Sequence, residues 1–160
     1  MKLINTEKAP GAIGPYSQGF EVNGIVYTSG QIPVNPADGT VPEGIAAQAE
    51  QSCKNVGAIL EAAGSGYDKV IKTTCFLADM GDFTAFNEVY AKYFTSKPAR
   101  SCVAVKSLPK GVLCEIEAIA RRSSTWKNAS WPRSAGPTLS PGDPGRAPGS
   151  SSPCGPAETG

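Results

Sequence analysis

Histidine is absent from the 160 residues of this sequence. Because histidine is the usual general base of catalytic triads and the commonest metal ligand, its absence excludes His-based triads and the usual zinc-binding sets. No Cys-x-x-Cys pair is present either, since the five cysteines stand at positions 53, 75, 102, 114 and 154. Single cysteines scattered through apolar segments are typical of reduced core residues in an intracellular protein, and no metal site is expected.

Long apolar runs and a strong net charge are also missing. No run reaches the roughly 18 to 20 apolar residues of a membrane span, and the N-terminal segment Met1–Glu7 lacks both the apolar core of a secretory signal and the arginines of a presequence. We therefore expect no membrane partner and a cytoplasmic protein, with a mitochondrial location as the alternative if a presequence is missing. Residues 1–120 carry 10 basic and 12 acidic side chains, a net charge of −2, which argues against a nucleic-acid partner.

Turn-forming residues divide the chain near residue 120. Between residues 121 and 160, 21 of the 40 positions are Ser, Pro or Gly, which bury little surface and resist regular structure. We therefore predict one folded domain at residues 1–120 and a disordered tail at residues 121–160. A read-through or frame-shifted end is the favoured interpretation of this tail, and a native linker is the alternative.

Hydrophobic periodicity and turn residues predict an α+β domain. The pair Asn23-Gly24 between two β-prone runs is typical of a tight hairpin, and apolar residues that recur every three or four positions predict two helices. The predicted elements are strands at 18–22 and 25–29, a helix at 44–63, a strand at 70–77, a helix at 82–95, and strands at 101–105 and 113–120. Both helices are expected to cover one face of the sheet, with the last two strands paired as a hairpin. Because many residues on the other face are apolar, we also expect self-association.

Arg100 is the first candidate for a binding residue. It lies at the start of a predicted strand, two residues after Pro98, whose ring fixes φ and restricts the approach of the chain. A guanidinium held in this way presents its fork to a planar carboxylate, which favours bidentate binding. A surface arginine at the end of a strand is the alternative, and the residues alone do not separate the two.

Glu115 and Glu117 are the candidates for acid–base chemistry. They are two apart on a predicted strand and therefore share a face with the apolar Leu113 and Ile119. A carboxyl group half-buried among such neighbours has a raised pKa and can move protons near neutral pH. A solvated outer face is the alternative, but the flanking apolar residues favour a functional role for one of the two.

Strand alternation does not bring Arg100 and Glu115 together. In the expected hairpin Val103 lies opposite Glu115, and Arg100 therefore falls on the other face of the sheet. A bulge or a neighbouring subunit would be needed to join the two side chains.

Cys102 and three hydroxyl groups are weaker candidates. A nucleophilic role for Cys102 requires a base, and no residue near it in the sequence supplies one, so a core position is favoured. Tyr16, Ser17 and Ser29 lie in loops bracketed by glycine and proline, and each alone is a weak indication of a binding site.

Six short segments, taken together and in order, carry a resemblance that extends through residues 1–120. They are Gly14-Pro15-Tyr16-Ser17-Gln18, Ser29-Gly30-Gln31-Ile32-Pro33, Lys72-Thr73-Thr74, Asp82-Phe83 with Asn87, Pro98-Ala99-Arg100-Ser101 and Glu115-Ile116-Glu117-Ala118. In this order they resemble the RidA (YjgF/YER057c/UK114) family. The resemblance implies a chorismate-mutase-like α+β fold, a mixed β-sheet with two helices packed on one face, and a homotrimer with clefts between its subunits.

The resemblance also implies an activity without metal or cofactor. This activity is the hydrolytic deamination of reactive 2-imino acids and their enamine tautomers, such as 2-iminobutanoate and 2-iminopropanoate, to 2-oxo acids and ammonia. By motif position, Arg100 is similar to the residue that binds the substrate carboxylate, and Glu115 to the residue that activates water. The other positions implied to contact the substrate are Tyr16, Ser29, Asn87 and the backbone around Cys102.

Two other functions stay open on the sequence. Nuclease activity on single-stranded RNA is also attributed to members of this family, and a basic groove lined by aromatic residues would indicate it. A non-catalytic trimeric binding or chaperone-like module would keep its fold and its role without Arg100.

Overall fold

The computed structural model describes residues 1–123 of the chain. Within this range it contains six β-strands and two α-helices, connected by loops and short 3-10 turns. In chain order they are β1 (Lys2–Ile4), β2 (Gly19–Val22), β3 (Ile25–Thr28), α1 (Ile45–Ala62), β4 (Val70–Leu77), α2 (Phe83–Tyr93), β5 (Ala99–Ala104) and β6 (Cys114–Arg121). The disordered tail predicted for residues 121–160 lies, from residue 124 onward, outside the described residues, so it and the domain boundary stay predictions.

Local sequence signals located most of these elements. Strands β2 to β6 and both helices are confirmed to within two residues at either end. Asn23 and Gly24 adopt φ values of 51° and 81°, the conformation that the tight turn between β2 and β3 requires, and Gly64 after α1 adopts a φ of 72°. The three-residue β1 is not predicted by the sequence, because a segment this short shows no periodicity.

The sheet is mixed, with the strand order β1-β2-β3-β6-β4-β5. Strand β6 lies antiparallel between β3 and β4, whereas β5 pairs with β4 in parallel at the edge of the sheet. The predicted hairpin of β5 and β6 is therefore wrong. Burial explains the order, because β6 alternates buried and half-buried residues whereas most residues of β5 are exposed, so the more apolar strand takes the interior position.

Both helices pack on one face of the sheet, as the sequence predicts, and form the core with it. Buried side chains of α1 and α2 meet those of β4 and β6, and the main contributors are Val56, Ile59, Leu60, Phe86, Leu77 and Ile116. Cys53, Cys75 and Cys114 are buried as free thiols, which confirms their predicted place in the core. In the described part of the chain, neither helix combines the length and the apolar character that crossing a bilayer would need.

The opposite face of the sheet is open and partly apolar. Leu3, Tyr27 and Val103 lie on this face and expose 56%, 46% and 47% of their surface. Leu3 pairs with Phe20, Phe20 with Tyr27, and Tyr27 with Ile119, so apolar residues follow one another across four strands. An exposed patch of this kind is typical of a surface that another protein covers.

Amide side chains of α1 hold the long loop that follows β3. Asn55 Nδ2 donates hydrogen bonds to the carbonyl oxygens of Ile32 and Val34, at 3.0 and 2.9 Å. Gln48 Nε2 donates to the carbonyl oxygen of Pro42 in this loop at 3.0 Å, and its Oε1 accepts a hydrogen bond from the backbone amide of Leu113 at 2.7 Å, just before β6 begins. Because a buried polar group that loses its partner costs about 1–3 kcal/mol, these bonds fix the loop against the rest of the fold.

Candidate active site

The segment Ser29–Gln31 runs along β6 and forms the floor of the candidate site. The backbone amide of Gln31 donates to the carbonyl of Ile116 at 2.8 Å, and the amide of Ile116 donates back at 3.2 Å. Gly30 therefore lies beside Glu115, and a Cβ atom at position 30 would overlap the carboxyl group of that residue. Glycine at this position lets the Glu115 carboxyl pack directly on the loop backbone.

A pocket of about 480 Å³ opens at this point on the open face of the sheet. This volume is within the range of small-molecule sites. It brings together four of the residues selected from the sequence, which are Tyr16, Ser29, Glu115 and Glu117. The rest of its lining is mainly apolar and consists of Ile13, Thr28, Gly30, Ile32 and Pro109. We call Tyr16, Ser29, Glu115 and Glu117 the carboxyl pocket.

The two carboxyl groups of this pocket raise the proton affinity of the site. Burial raises the pKa of Glu115, and the neighbouring Glu117 carboxylate raises it further. Among residues 1–123, neither glutamate forms an ion pair that would oppose these effects. A carboxyl group with a raised pKa can exchange protons closer to neutral pH than an ordinary glutamate, which is the property of a general acid or base.

The two hydroxyl groups of the carboxyl pocket differ in what they can offer a ligand. Ser29 Oγ donates its proton to the carbonyl oxygen of Ser17, so only its lone pairs remain for a ligand. The phenol oxygen of Tyr16 accepts a long hydrogen bond from the backbone amide of Ile13, at 3.4 Å. This bond does not use the O–H group of Tyr16 as a donor. Tyr16 can therefore donate a hydrogen bond into the pocket, whereas Ser29 can accept one.

Arg100 is held on the helix face of the sheet by α2. Its Nη1 donates to Asn87 Oδ1 at 2.7 Å, and its guanidinium carbon lies 4.8 Å from the ring centroid of Tyr90 and 5.6 Å from that of Phe83. Tyr90 is fixed in turn by a hydrogen bond of 2.6 Å between its hydroxyl group and that of Thr73. The guanidinium is thus ordered by stacking while most of its five donors stay available for a carboxylate.

Cys102 lies two residues from Arg100 on the same face of β5, and it is half-buried. Burial raises the pKa of its thiol, and the Arg100 charge opposes this only in part. A protonated thiol is a poor nucleophile, which agrees with the expectation from the sequence. Because β5 is an edge strand of the sheet that residues 1–123 form, half of its backbone groups have no partner in that sheet, and a ligand could bind them. We call Asn87, Arg100 and Cys102 the arginine edge.

The carboxyl pocket and the arginine edge lie on opposite faces of the sheet. Arg100 pairs with the buried Thr73 of β4, whereas Glu115 pairs with the half-buried Phe76 on the open face. The only irregularity in the register of β4 with β5 and β6 in the described chain is near Val70 and does not change this assignment. The separation expected from strand alternation is confirmed, although the hairpin from which it was argued is wrong.

Comparison with known proteins identifies the family. The model of the family described as Endoribonuclease L-PSP matches residues 6–122. The chain belongs to this family, the RidA/YjgF family. The resemblance inferred from six short segments is therefore confirmed.

Three relatives of known sequence or structure align with this chain over nearly their whole length. A protein of Escherichia coli (strain K12) named 2-iminobutanoate/2-iminopropanoate deaminase is 54% identical over 125 residues, which cover 76% of this chain and 98% of the relative. The crystal structure of E. coli TdcF with bound serine is 50% identical, with a TM-score of 0.75 and coverage of 77% and 100%. The crystal structure of yeast Mmf1 is 46% identical, with a TM-score of 0.74 and coverage of 76% and 98%. The α+β fold with two helices on a mixed sheet is shared with these RidA/YjgF structures.

The sequence did not indicate two features of this RidA/YjgF site. One is Gly30, whose role depends on a contact with Glu115 that is remote in sequence. The other is the pair of rings that stack on Arg100. Phe83, Asn87 and Tyr90 are spaced four and three apart on a predicted helix, so their common face was available as a signal. What the sequence lacked was the pairing of β5 with β4, which brings Arg100 to that face.

Proposed function

We propose that this chain hydrolyses 2-imino acids and their enamine tautomers, such as 2-iminobutanoate and 2-iminopropanoate, to 2-oxo acids and ammonia. The observation that carries the proposal is the half-buried Glu115 carboxyl, with a raised pKa, in a pocket of about 480 Å³. The name of the E. coli relative at 54% identity supports the same reaction. No step of this reaction requires a group that the side chains of the site lack.

The proposal assigns the substrate carboxylate to Arg100. A 2-imino acid carries a fixed anion next to an electrophilic carbon, and a guanidinium ordered by Tyr90 and Asn87 suits bidentate binding of that anion. Backbone groups of the edge strand around Cys102 would contact the same end of the substrate. Holding the substrate at one end places its reactive carbon at a set distance from the water, which by itself lowers the barrier.

The proposal assigns the proton transfers to Glu115. With the imine protonated on nitrogen, water adds to its C2 carbon, the electrons of the C=N double bond move to nitrogen, and Glu115 takes a proton from the water. Glu115 then returns this proton to the amine, the C–N bond breaks, a C=O bond forms, and nitrogen leaves as ammonia that captures the hydroxyl proton. Tyr16 would donate a hydrogen bond to the oxygen or nitrogen during these steps, and Ser29 would accept one.

The separation of Arg100 and Glu115 makes an assembly of subunits part of the proposal. The carboxyl pocket opens on the face that carries the exposed apolar patch, while the arginine edge lies at the rim of the sheet. We propose a homotrimer in which the arginine edge of one subunit closes the carboxyl pocket of the next. Covering the apolar patch would supply the free energy of association.

The direct test generates 2-iminobutanoate from 2-aminobutanoate with an amino-acid oxidase and measures the imine that remains. Semicarbazide gives the same semicarbazone with the imine and with the 2-oxo acid but reacts faster with the imine, so acceleration by the protein appears as a lower initial rate of semicarbazone formation. We expect this initial rate to fall as the protein concentration rises. An unchanged initial rate at every protein concentration would remove the proposal.

The family description as an endoribonuclease motivates the second candidate function, cleavage of single-stranded RNA. Two carboxylates in the pocket and a net charge of −2 over residues 1–120 oppose binding of a phosphate backbone. We expect no cleavage of a single-stranded RNA by a preparation that is active on the imine. A third candidate, a non-catalytic trimeric binding or chaperone-like module, predicts no acceleration at all in the imine assay.

A further inference from the structure

Glu117 is a carboxyl group in the pocket that enters the proposed reaction only through its effect on the pKa of Glu115. It lies two residues after Glu115 on the same face of β6, is half-buried, and lines the same pocket. In the described chain it forms no ion pair. A carboxyl group in this position also acts on the charge of any ligand that enters the pocket.

Two lysines line neighbouring cavities but not this pocket. Lys72 shares with Glu117 a smaller cavity of about 90 Å³. Lys110 is exposed and lines a cavity of about 40 Å³ that shares Tyr16 with the larger pocket. Among the described residues, the lining that one subunit gives to the larger pocket therefore contains two carboxyl groups, mainly apolar walls and no cation. In the proposed trimer the next subunit brings Arg100 to this pocket, where it binds the carboxylate next to the imine.

The proposed binding mode sends the substrate side chain into this environment. If Arg100 binds the carboxylate at one end and Glu115 acts at the C2 carbon, the side chain on that carbon extends along the pocket wall. Ile13, Ile32 and Pro109 offer it apolar contacts, while Glu117 meets any charge that it carries. A second carboxylate on the side chain would lose water there, find no cation among the described residues that line this wall, and be repelled by Glu117.

We propose that Glu117 is a specificity-determining residue that excludes imino acids with an acidic side chain and leaves the site to those with neutral side chains. This inference rests on the proposed function of the same pocket and adds the substrate class to it.

The test compares two imines of equal chain length that differ in one charge. Amino-acid oxidases produce 2-iminopentanoate from norvaline and 2-iminopentanedioate from glutamate, and semicarbazide trapping gives kcat/KM for each. We expect the unaltered protein to prefer the neutral imine by about 100-fold or more. Glu117→Gln should narrow this ratio by about ten-fold, because only the dicarboxylate gains from removal of the charge. Glu117→Asp, which keeps the charge, should retain the preference, as should the matched control Glu61→Gln on the exposed surface of α1.

The outcomes separate this inference from the proposed function. A ratio that is unchanged by Glu117→Gln, while the neutral imine is still hydrolysed faster with protein, overturns the inference alone. Absence of acceleration for both imines overturns the proposed function and the inference together. If Glu117→Gln does not fold, the inference can be tested on the unaltered protein. Salt up to about 0.5 M should screen the repulsion between Glu117 and the dicarboxylate and so narrow the ratio of the two kcat/KM values. A ratio that does not respond to salt would then contradict the inference.

Discussion

The environment of single side chains determines the charge that the site presents to a ligand. Glu115 and Arg100 are both half-buried, but one has a like charge as its neighbour and the other has aromatic rings and a neutral amide. The raised pKa of Glu115 makes it able to accept and return a proton, whereas the Arg100 guanidinium offers a planar set of donors to an anion. Glu115 and Arg100 thus differ in their proposed roles because their positions in β6 and β5 give them different neighbours.

Replacement of Arg100 tests the proposed anion-binding role. We expect Arg100→Ala to abolish the acceleration of imine loss, and Arg100→Lys to restore only a small part of it, because an ammonium group lacks the planar fork. Semicarbazide trapping measures the rate, and size-exclusion chromatography checks that the oligomer is unchanged. Arg122→Ala, at an exposed arginine near Glu21, is the matched control. Full activity in Arg100→Ala would rule out the proposed role.

Replacement of Glu115 tests the role of its carboxyl group in proton transfer. Glu115→Gln keeps the shape but cannot take a proton, so we expect the rate to fall by about 10²- to 10⁴-fold. In the unaltered protein, activity should fall as pH decreases through the pKa of Glu115, at a higher pH than an ordinary glutamate would give. A pH profile that is the same in both proteins would contradict this role.

The same substitution should have an opposite effect on stability. The pKa of Glu115 is higher in the folded than in the unfolded chain, so ionisation of this group destabilises the fold as pH rises through the folded pKa. We expect Glu115→Gln to raise Tm at pH 7, and this gain should disappear below about pH 4, where the unfolded chain is also protonated. Calorimetry at several pH values measures it, and a Tm that is lower than that of the unaltered protein at pH 7 would show that the carboxylate has a stabilising partner.

At the scale of strands and helices, the sequence predicted the elements better than their pairing. Periodicity locates α1 and α2 because it is a local property, and Asn23-Gly24 defines its hairpin because two adjacent strands and their turn are local too. The position of β6 between β3 and β4 depends instead on partners that lie between 37 positions away, for Leu77 and Cys114, and 96 positions away, for Ile25 and Arg121. For the same reason the raised pKa of Glu115 was predictable from its apolar neighbours, whereas its contact with Gly30 was not.

Replacement of Gly30 tests how the loop after β3 supports the carboxyl pocket. An added methyl group at this position would displace the Glu115 carboxyl, and a displacement of about 1 Å at a reacting group can lower the rate by about 100-fold. We expect Gly30→Ala to lose activity to this extent and to destabilise the fold by about 1–3 kcal/mol through overpacking. Gly11→Ala is the matched control, because a Cβ atom there would meet no neighbour within 4 Å. Equal rates in the two variants would mean that Glu115 can move without consequence.

At the scale of the whole molecule, one chain holds two halves of a site that face different ways. The carboxyl pocket opens on the uncovered face of the sheet and the arginine edge lies at its rim, next to α2. A change of rotamer cannot move a side chain from one face of a sheet to the other. The carboxyl pocket and the arginine edge of the same chain therefore cannot contact one substrate molecule together. The sequence already indicated this, since alternation along a strand is a strict rule, but only the strand order shows that Arg100 lies at an edge that another subunit can reach.

Mixing two inactive variants tests whether the halves come from different subunits. Arg100→Ala and Glu115→Gln should each be inactive alone, but co-expressed chains would form clefts that combine the intact Arg100 of one variant with the intact Glu115 of the other. With equal amounts and random assembly, roughly a quarter of all clefts contain both residues, so about a quarter of the unaltered activity should return. Differently tagged chains allow the mixed trimers to be isolated before the imine assay, and in these about a third of the unaltered activity should return, because one cleft in three contains both residues. If purified mixed oligomers stay as inactive as their parents, the site does not form between subunits, since clefts built within one chain would always lack one of the two residues.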